Sequence, residues 1–187
     1  MRVIGLAGWS GAGKTTLLVR LLPLLRARGL QVSTVKHAHH AFDVDRPGKD
    51  SHAHREAGAR EVLIASARRW ALLHELDSPA DEPPLADLLA KLAPVDLVVV
   101  EGFKTATHPK IWIHRAANGK PALFPEVPEV RAIASDVLLP DASVPVLPLD
   151  DVAAMAEALL AHADPLRDVL AALAAAPRPA RLREPRR

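Results

Sequence analysis

Cysteine is absent from this 187-residue chain, which excludes a disulfide scaffold and any thiolate metal site and is compatible with a reducing compartment. Aromatic residues amount to only 3%, so a core must be filled by Ala, Leu and Val. Long apolar runs are missing too. The stretch from Met1 to Ala7 breaks at Gly8, far short of a membrane-spanning helix, and no cleavage region follows it. On these grounds the chain reads as soluble and cytoplasmic. There is no internal repeat.

What is present is ordinary globular material: 49% hydrophobic and 25% charged residues, at a length that suits one well-buried domain. The net charge of +2 resembles a nucleic-acid signature until the charges are located. Residues 177–187 carry five Arg and one Glu, a net +4 that leaves −2 on residues 1–176. A basic, Pro-punctuated tail of this kind is expected to be solvated and disordered, without specific nucleic-acid binding. The expected organisation is a domain over residues 1–163, followed by residues 164–187. There an Ala- and Leu-rich segment to Ala176 forms an amphipathic helix on the body or on a partner, and the tail follows it.

Strands and helices alternate along the body. Arg2 to Ala7 reads as a strand entering a Gly-rich turn, and from Thr15 onward Leu17, Leu18, Leu21, Leu22 and Leu25 recur at helical spacing. Gly29 is a helix C-cap, and Gln31 to Val35 alternates like a strand. A polar loop spans His37 to Asp50, then Ser51 caps a short helix through Gly58. Glu61 to Ala65 and Trp70 to His74 read as strands, Ser78 to Pro84 as a connector and Leu85 to Leu92 as a helix. Leu97 to Val100 is a continuous apolar run, the pattern of a strand buried on both faces. Ile111 to His114, Val130 to Ala134 and Val144 to Leu147 add strands, and Asp150-Asp151 open a helix to about Ala161. The alternation implies an α/β fold with a mostly parallel sheet flanked by helices and some additional β-strands.

One motif carries chemistry. Gly8, Trp9, Ser10, Gly11, Ala12, Gly13, Lys14 and Thr15 match G-x-x-x-x-G-K-[ST] between a strand and a helix, the context of a phosphate-binding P-loop. Its backbone N–H groups form an anion nest, Lys14 reaches the β- and γ-phosphates, Thr15 offers its hydroxyl to Mg²⁺, and Thr16 follows in the helix whose N-terminus faces the same phosphates. Such a site takes a second, acidic element at the end of a buried strand. Leu97 to Val100 delivers Glu101, which can hold the Mg²⁺ shell through water.

Five segments resemble the molybdopterin-guanine dinucleotide biosynthesis protein B family (MobB): Gly8 to Leu18, Val35 to Ser51, Arg55 to Ala59, Val100 to Lys104 with Pro109-Lys110-Ile111, and Ile133 to Asp136. They occur in order within residues 1–163. The resemblance implies a P-loop NTPase fold that binds GTP with weak intrinsic hydrolysis and a homodimer. It also implies an adapter role beside the MobA-type guanylyltransferase that joins molybdopterin to GMP, with molybdopterin or its guanine dinucleotide as a further ligand.

Several residues around the loop admit two readings. Asp45, in the loop after the second strand, is either a Mg²⁺-shell residue or part of a turn with Asp43 and Pro47-Gly48, and Asp50 is equally a helix N-cap. His37, His39, His40, His52 and His54 invite a nickel or zinc reading, but their spacing matches no ligand pattern; the alternative has Lys36, His37 and His39 lining a nucleotide or pterin phosphate. Lys104 and Lys110 either face an anion or are solvated. No N-K-x-D guanine motif is present, and Asp136, at the end of a strand, is either the acceptor of guanine N1 and N2 or one half of a turn cap with Ser135. The sole glutamine, Gln31, lies in a strand, so hydrolysis without a partner is expected to be slow. Trp9 packs or stacks beside the site. Ile111 to Ile113 is taken as an edge strand open to pairing across a two-fold axis. The competing functions are a small-molecule P-loop kinase, with Arg68-Arg69 as the candidate lid cations, and a nickel-delivering GTPase.

Overall fold

The computed structural model describes residues 1–38, 42–120 and 124–176, in two compact units: Met1–His37 with the chain from Leu85 on, and Ala38–Pro84. The expectations for His39, His40 and the basic tail lie outside the described residues.

The larger unit is built on β1 (Arg2–Ala7), α1 (Lys14–Ala27), β2 (Val32–Lys36), then, after the smaller unit, α3 (Leu85–Ala90), β5 (Leu97–Glu101), β6 (Lys110–His114), β7 (Val130–Ser135), β8 (Val146–Pro148), α4 (Val152–His162), β9 (Asp164–Pro165) and α5 (Leu166–Ala175). The sheet order is β2-β5-β1-β6-β7-β8, with every neighbouring pair along it parallel, and β9 runs antiparallel on Arg2 and Val3 of β1. All five β5 residues are buried, as the uninterrupted apolar run requires. Ile4 and Leu6 of β1 face one core with Leu17, Leu21 and Leu25 of α1 and Met155 and Leu159 of α4. Val3 joins Val98 and Val100 in a second core, with Leu85, Leu89 and Val169. Helix α1 ends where Gly29 N–H donates to the Arg26 carbonyl and Leu30 N–H to the Leu25 carbonyl, a Schellman closure. Asp151 caps α4 by accepting from Ala154 N–H at 2.9 Å.

Three expectations are corrected here. Strand β6 is not an edge: it lies between β1 and β7 with Ile111, Trp112 and Ile113 buried, because the chain crosses over β1 after β5 and leaves β2 and β8 outermost. No boundary falls at residue 163, since β9 pairs with β1 and α5 buries Val169 against Val3 and Val98. Lys110 is fully buried rather than facing an anion; its ammonium donates to the Ala106 carbonyl at 2.5 Å and to that of Lys104 at 3.3 Å, pinning the crossover loop of residues 102–109.

The smaller unit contains α2 (Asp50–Glu56) beside a two-stranded antiparallel hairpin of β3 (Glu61–Ala65) and β4 (Trp70–His74). Lys49, not Ser51 or Asp50, is the α2 N-cap residue, because the Ser51 hydroxyl is spent on Asp45.

Candidate functional site

Parallel strands deliver their C-terminal ends to one edge of the sheet, and the loops there hold ligands in open α/β folds. The P-loop leaves β1 at that edge. Gly13, at φ 92°, takes the left-handed conformation that opens α1 at Lys14 with no side chain capping the helix, so the first N–H groups remain available to an anion. Lys14 Nζ folds back on the Gly8 and Trp9 carbonyls at 3.0 and 2.8 Å. Ser10, Gly11, Thr15 and Thr16 are exposed, whereas Ala12 is buried beneath the loop.

At the end of β5, Glu101 comes to the same place. The Thr15 hydroxyl donates to Glu101 Oε1 at 2.6 Å, and Lys36 Nζ, at the end of β2, lies 3.4 Å from that oxygen and 3.3 Å from Thr15 Oγ1. A cation held between a hydroxyl and a carboxylate oxygen is the arrangement that suits Mg²⁺, whose ligands are hard oxygens. The residues therefore fit the metal.

Behind Glu101 the backbone is strained. Gly102 has φ 102°, and a Cβ there would lie 2.8 Å from His37 Cβ; Phe103 follows at φ 45°, the one positive φ outside glycine among the described residues. This turn stacks the Phe103 ring on His37 at 4.6 Å. It also directs the chain so that Lys104 Nζ lies 4.6 Å over the ring of Trp9. Trp9 is itself buried edge-on against Trp112, and Lys120 Nζ lies 5.5 Å from its ring.

The far side of the P-loop is closed by residues the sequence reading missed. Asn118 Nδ2 donates to the Ser10 carbonyl at 2.9 Å, and its Oδ1 lies 3.0 Å from where a Gly11 Cβ would stand. Arg115, the residue after β6, lays its guanidinium along Gly13, with Nη2 3.4 Å from the position of a Cβ there. Its Nη1 is 3.7 Å from Asp136 Oδ2, while Asp136 Oδ1 accepts from Ala116 N–H at 2.8 Å. Both lie just after β6, and the β1–β6 pairing rather than any local pattern brings them to the loop. Ser135 Oγ, by contrast, is occupied by the Val137 backbone.

Within the smaller unit, Asp45 Oδ1 accepts from Ser51 Oγ at 2.8 Å and from Arg46 N–H at 3.0 Å, while Oδ2 lies 3.5 Å from Arg55 Nε, an ion pair without a hydrogen bond. The Ser51 hydroxyl bond is the main cause holding its carboxyl below the ordinary range. Arg55 also binds Asp43 and Glu75, so these charges organise their own unit. Arg68 and Arg69 end the tight turn of the β3–β4 hairpin, where their N–H groups donate to Ser66 Oγ. Among the described residues no group of three or more His, Asp or Glu is disposed to hold a metal, and no helix is long and apolar enough to cross a membrane.

A mostly parallel sheet with a phosphate loop between its central strand and first helix defines a P-loop NTPase-type α/β protein. The family model described as molybdopterin guanine dinucleotide synthesis protein B matches residues 3–136, and the chain belongs to this MobB family. The molybdopterin-guanine dinucleotide biosynthesis adapter protein of Haemophilus influenzae is 44% identical over 135 residues, 72% of this chain and 74% of that protein. Its namesake in Escherichia coli K12 is 42% identical over 159 residues, covering 83% and 89%. A crystal structure of molybdopterin-guanine biosynthesis protein B aligns over 85% of this chain and 98% of its own, with a TM-score of 0.64 and 28% identity.

Proposed function

We propose that this protein is a GTP-binding adapter of molybdopterin-guanine dinucleotide biosynthesis, working in the cytoplasm beside a MobA-type guanylyltransferase. The observation that carries nucleotide binding is the convergence of Lys14, the α1 N-terminus and the Thr15–Glu101 pair on one loop. Residues 8–16 cradle the phosphates. Lys36, His37 and Lys104 flank them, and Asp136 accepts hydrogen bonds from guanine N1 and N2. Thr15 and Glu101 hold Mg²⁺, which when bound neutralises phosphate charge. Asp45 is left to the ion pairs of its own unit.

Hydrolysis is slow in this reading. Gln31 precedes β2 and so stands at the opposite end of the parallel sheet from the loop, too remote to orient water at a phosphate. A homodimer is supported by the hairpin, where Leu63, Leu72 and Trp70 present one exposed apolar face. Molybdopterin or its guanine dinucleotide is the expected cargo of the adapter.

The test is a titration with GTP and ATP, with and without Mg²⁺, alongside Lys14→Ala, repeated with the guanylyltransferase present. Mg²⁺-dependent GTP binding, lost in Lys14→Ala and strengthened by the partner, is the expected result. Absence of nucleotide binding ends the proposal, and turnover of an added small molecule with ATP makes the protein a kinase.

A further inference from the structure

Arg115 has a guanidinium with five donors, yet its only polar contact among the described residues is the 3.7 Å approach to Asp136. It is not buried for packing, since 40% of its side chain is exposed. Its place is distinctive. On one side it lies along Gly13 of the phosphate loop, and on the other it touches the carboxylate proposed to read the base. A nucleotide with its phosphates on that loop and its base at Asp136 has to pass this guanidinium. Asp136 also lines an open surface hollow with Val137, Leu139 and Pro148.

We infer that Arg115 is a specificity-determining residue that donates to O6 and N7 of a bound guanine, the partner of Asp136 in reading the base. The inference rests on the reading that the P-loop holds a nucleotide triphosphate. The chemistry is complementary by edge. Guanine presents the acceptors N7 and O6 next to the donors N1–H and N2–H₂, which match a guanidinium next to a carboxylate; adenine presents a donor at C6 and an acceptor at N1, which meet both groups with the wrong polarity. Arginine is suited to the task because its fork spans O6 and N7 together, which a lysine cannot do. This supplies guanine selectivity in a chain without N-K-x-D. The pair also links base and phosphate recognition, because the guanidinium that meets the base rests on Gly13.

The experiment compares GTP with 7-deaza-GTP, which keeps the triphosphate, ribose, O6, N1–H and the N2 amine met by Asp136 and lacks only the N7 acceptor. Affinities are measured for the full chain, Arg115→Ala and Arg115→Lys in Mg²⁺, with a thermal melt of each. The unmodified protein is expected to hold GTP at least about tenfold more tightly than the analogue. Arg115→Ala should bring that ratio close to one, GTP losing more affinity than the analogue, which keeps O6; Arg115→Lys should recover the ratio only in part. If both ligands weaken by the same factor, Arg115 serves the phosphates or the loop and the inference is overturned. It is equally overturned if the unmodified protein binds both ligands alike, or if Arg115→Ala binds GTP as the unmodified protein does. Should Arg115→Ala melt at ambient temperature, Arg115→Lys, which keeps a cation beside Asp136, carries the same comparison. If the unmodified protein binds neither triphosphate, the P-loop reading itself has failed, an outcome distinct from all of these.

Discussion

Thr15 and Glu101 stand 86 positions apart in the chain and share a 2.6 Å hydrogen bond at the C-terminal edge of the sheet. Register brings them together: Leu6 of β1 pairs with Glu101 of β5, and α1 begins within a turn of the loop that follows β1. Glu101 is nearly enclosed, so its carboxylate is presented to a narrow space rather than to bulk water. Glu101→Gln keeps the shape and removes the charge. The expected result is a loss of about tenfold or more in GTP affinity in Mg²⁺, with affinity in EDTA unchanged. An equal loss in both buffers would show that Glu101 shapes the loop without serving a metal.

Gly5 makes a different demand on the same strand. A Cβ there would come within 2.5 Å of His108 Nε2, because the loop from β5 to β6 crosses directly over β1 at this residue. The His108 ring is itself buried, so it cannot swing into solvent to make room. Gly5→Ala is expected to cost about 1–3 kcal/mol through overpacking, measured by urea denaturation. Unchanged stability would mean that the crossover lies further from β1 than described.

A homodimer through the hairpin gives a prediction that is independent of nucleotide. Leu63 and Leu72 are directly paired across the strands, and Trp70, paired with Ala65, lies on the same face. Charging this face with Leu72→Glu should convert a sedimenting pair of 20.1 kDa chains into single chains while GTP affinity is retained. Sedimentation of the unmodified protein as a single chain would remove the dimer from the proposal.

The legible parts of this protein were the local ones. The P-loop reads from eight consecutive residues because its glycines, lysine and threonine act within one turn of chain, and β5 reads from an apolar run because both its faces are covered. Hairpin strands Glu61–Ala65 and Trp70–His74 were equally plain, bounded by turn residues at both ends. What escaped was set by crossovers. β6 has the same apolar pattern whether central or outermost, and only the path over β1 makes it central. Lys110 reads as a surface cation because nothing in its neighbourhood announces the two carbonyls, Lys104 and Ala106, that receive its ammonium. Arg115 and Asn118 meet the P-loop only through the β1–β6 pairing, a contact no local pattern encodes.

The buried pair His108 and Lys110 makes stability depend on pH in two windows. Burial, aided by the charge of Lys110, pulls the His108 imidazole down from its ordinary value of 6.5 to about 3, and burial pulls Lys110 down to about 8. Below pH 6.5 the unfolded chain therefore binds a proton that folded His108 refuses, so stability falls as pH drops toward 3, by at most about 1.4 kcal/mol per pH unit from this group. The same sign holds on the alkaline side. Folded Lys110 gives up its proton near pH 8 while the unfolded lysine keeps it to about 10.5, so stability rises across that interval. Between 6.5 and 8 neither group contributes a slope. Urea denaturation from pH 4.5 to 10 checks both arms, with His108→Leu expected to flatten the acid arm and Lys110→Met the alkaline one. Lys110→Met also frees the Lys104 and Ala106 carbonyls, so it should loosen the loop that sets Lys104 over Trp9 and weaken GTP binding as well. An acid arm that His108→Leu leaves untouched would place its origin in other groups and sink the assignment to this pair.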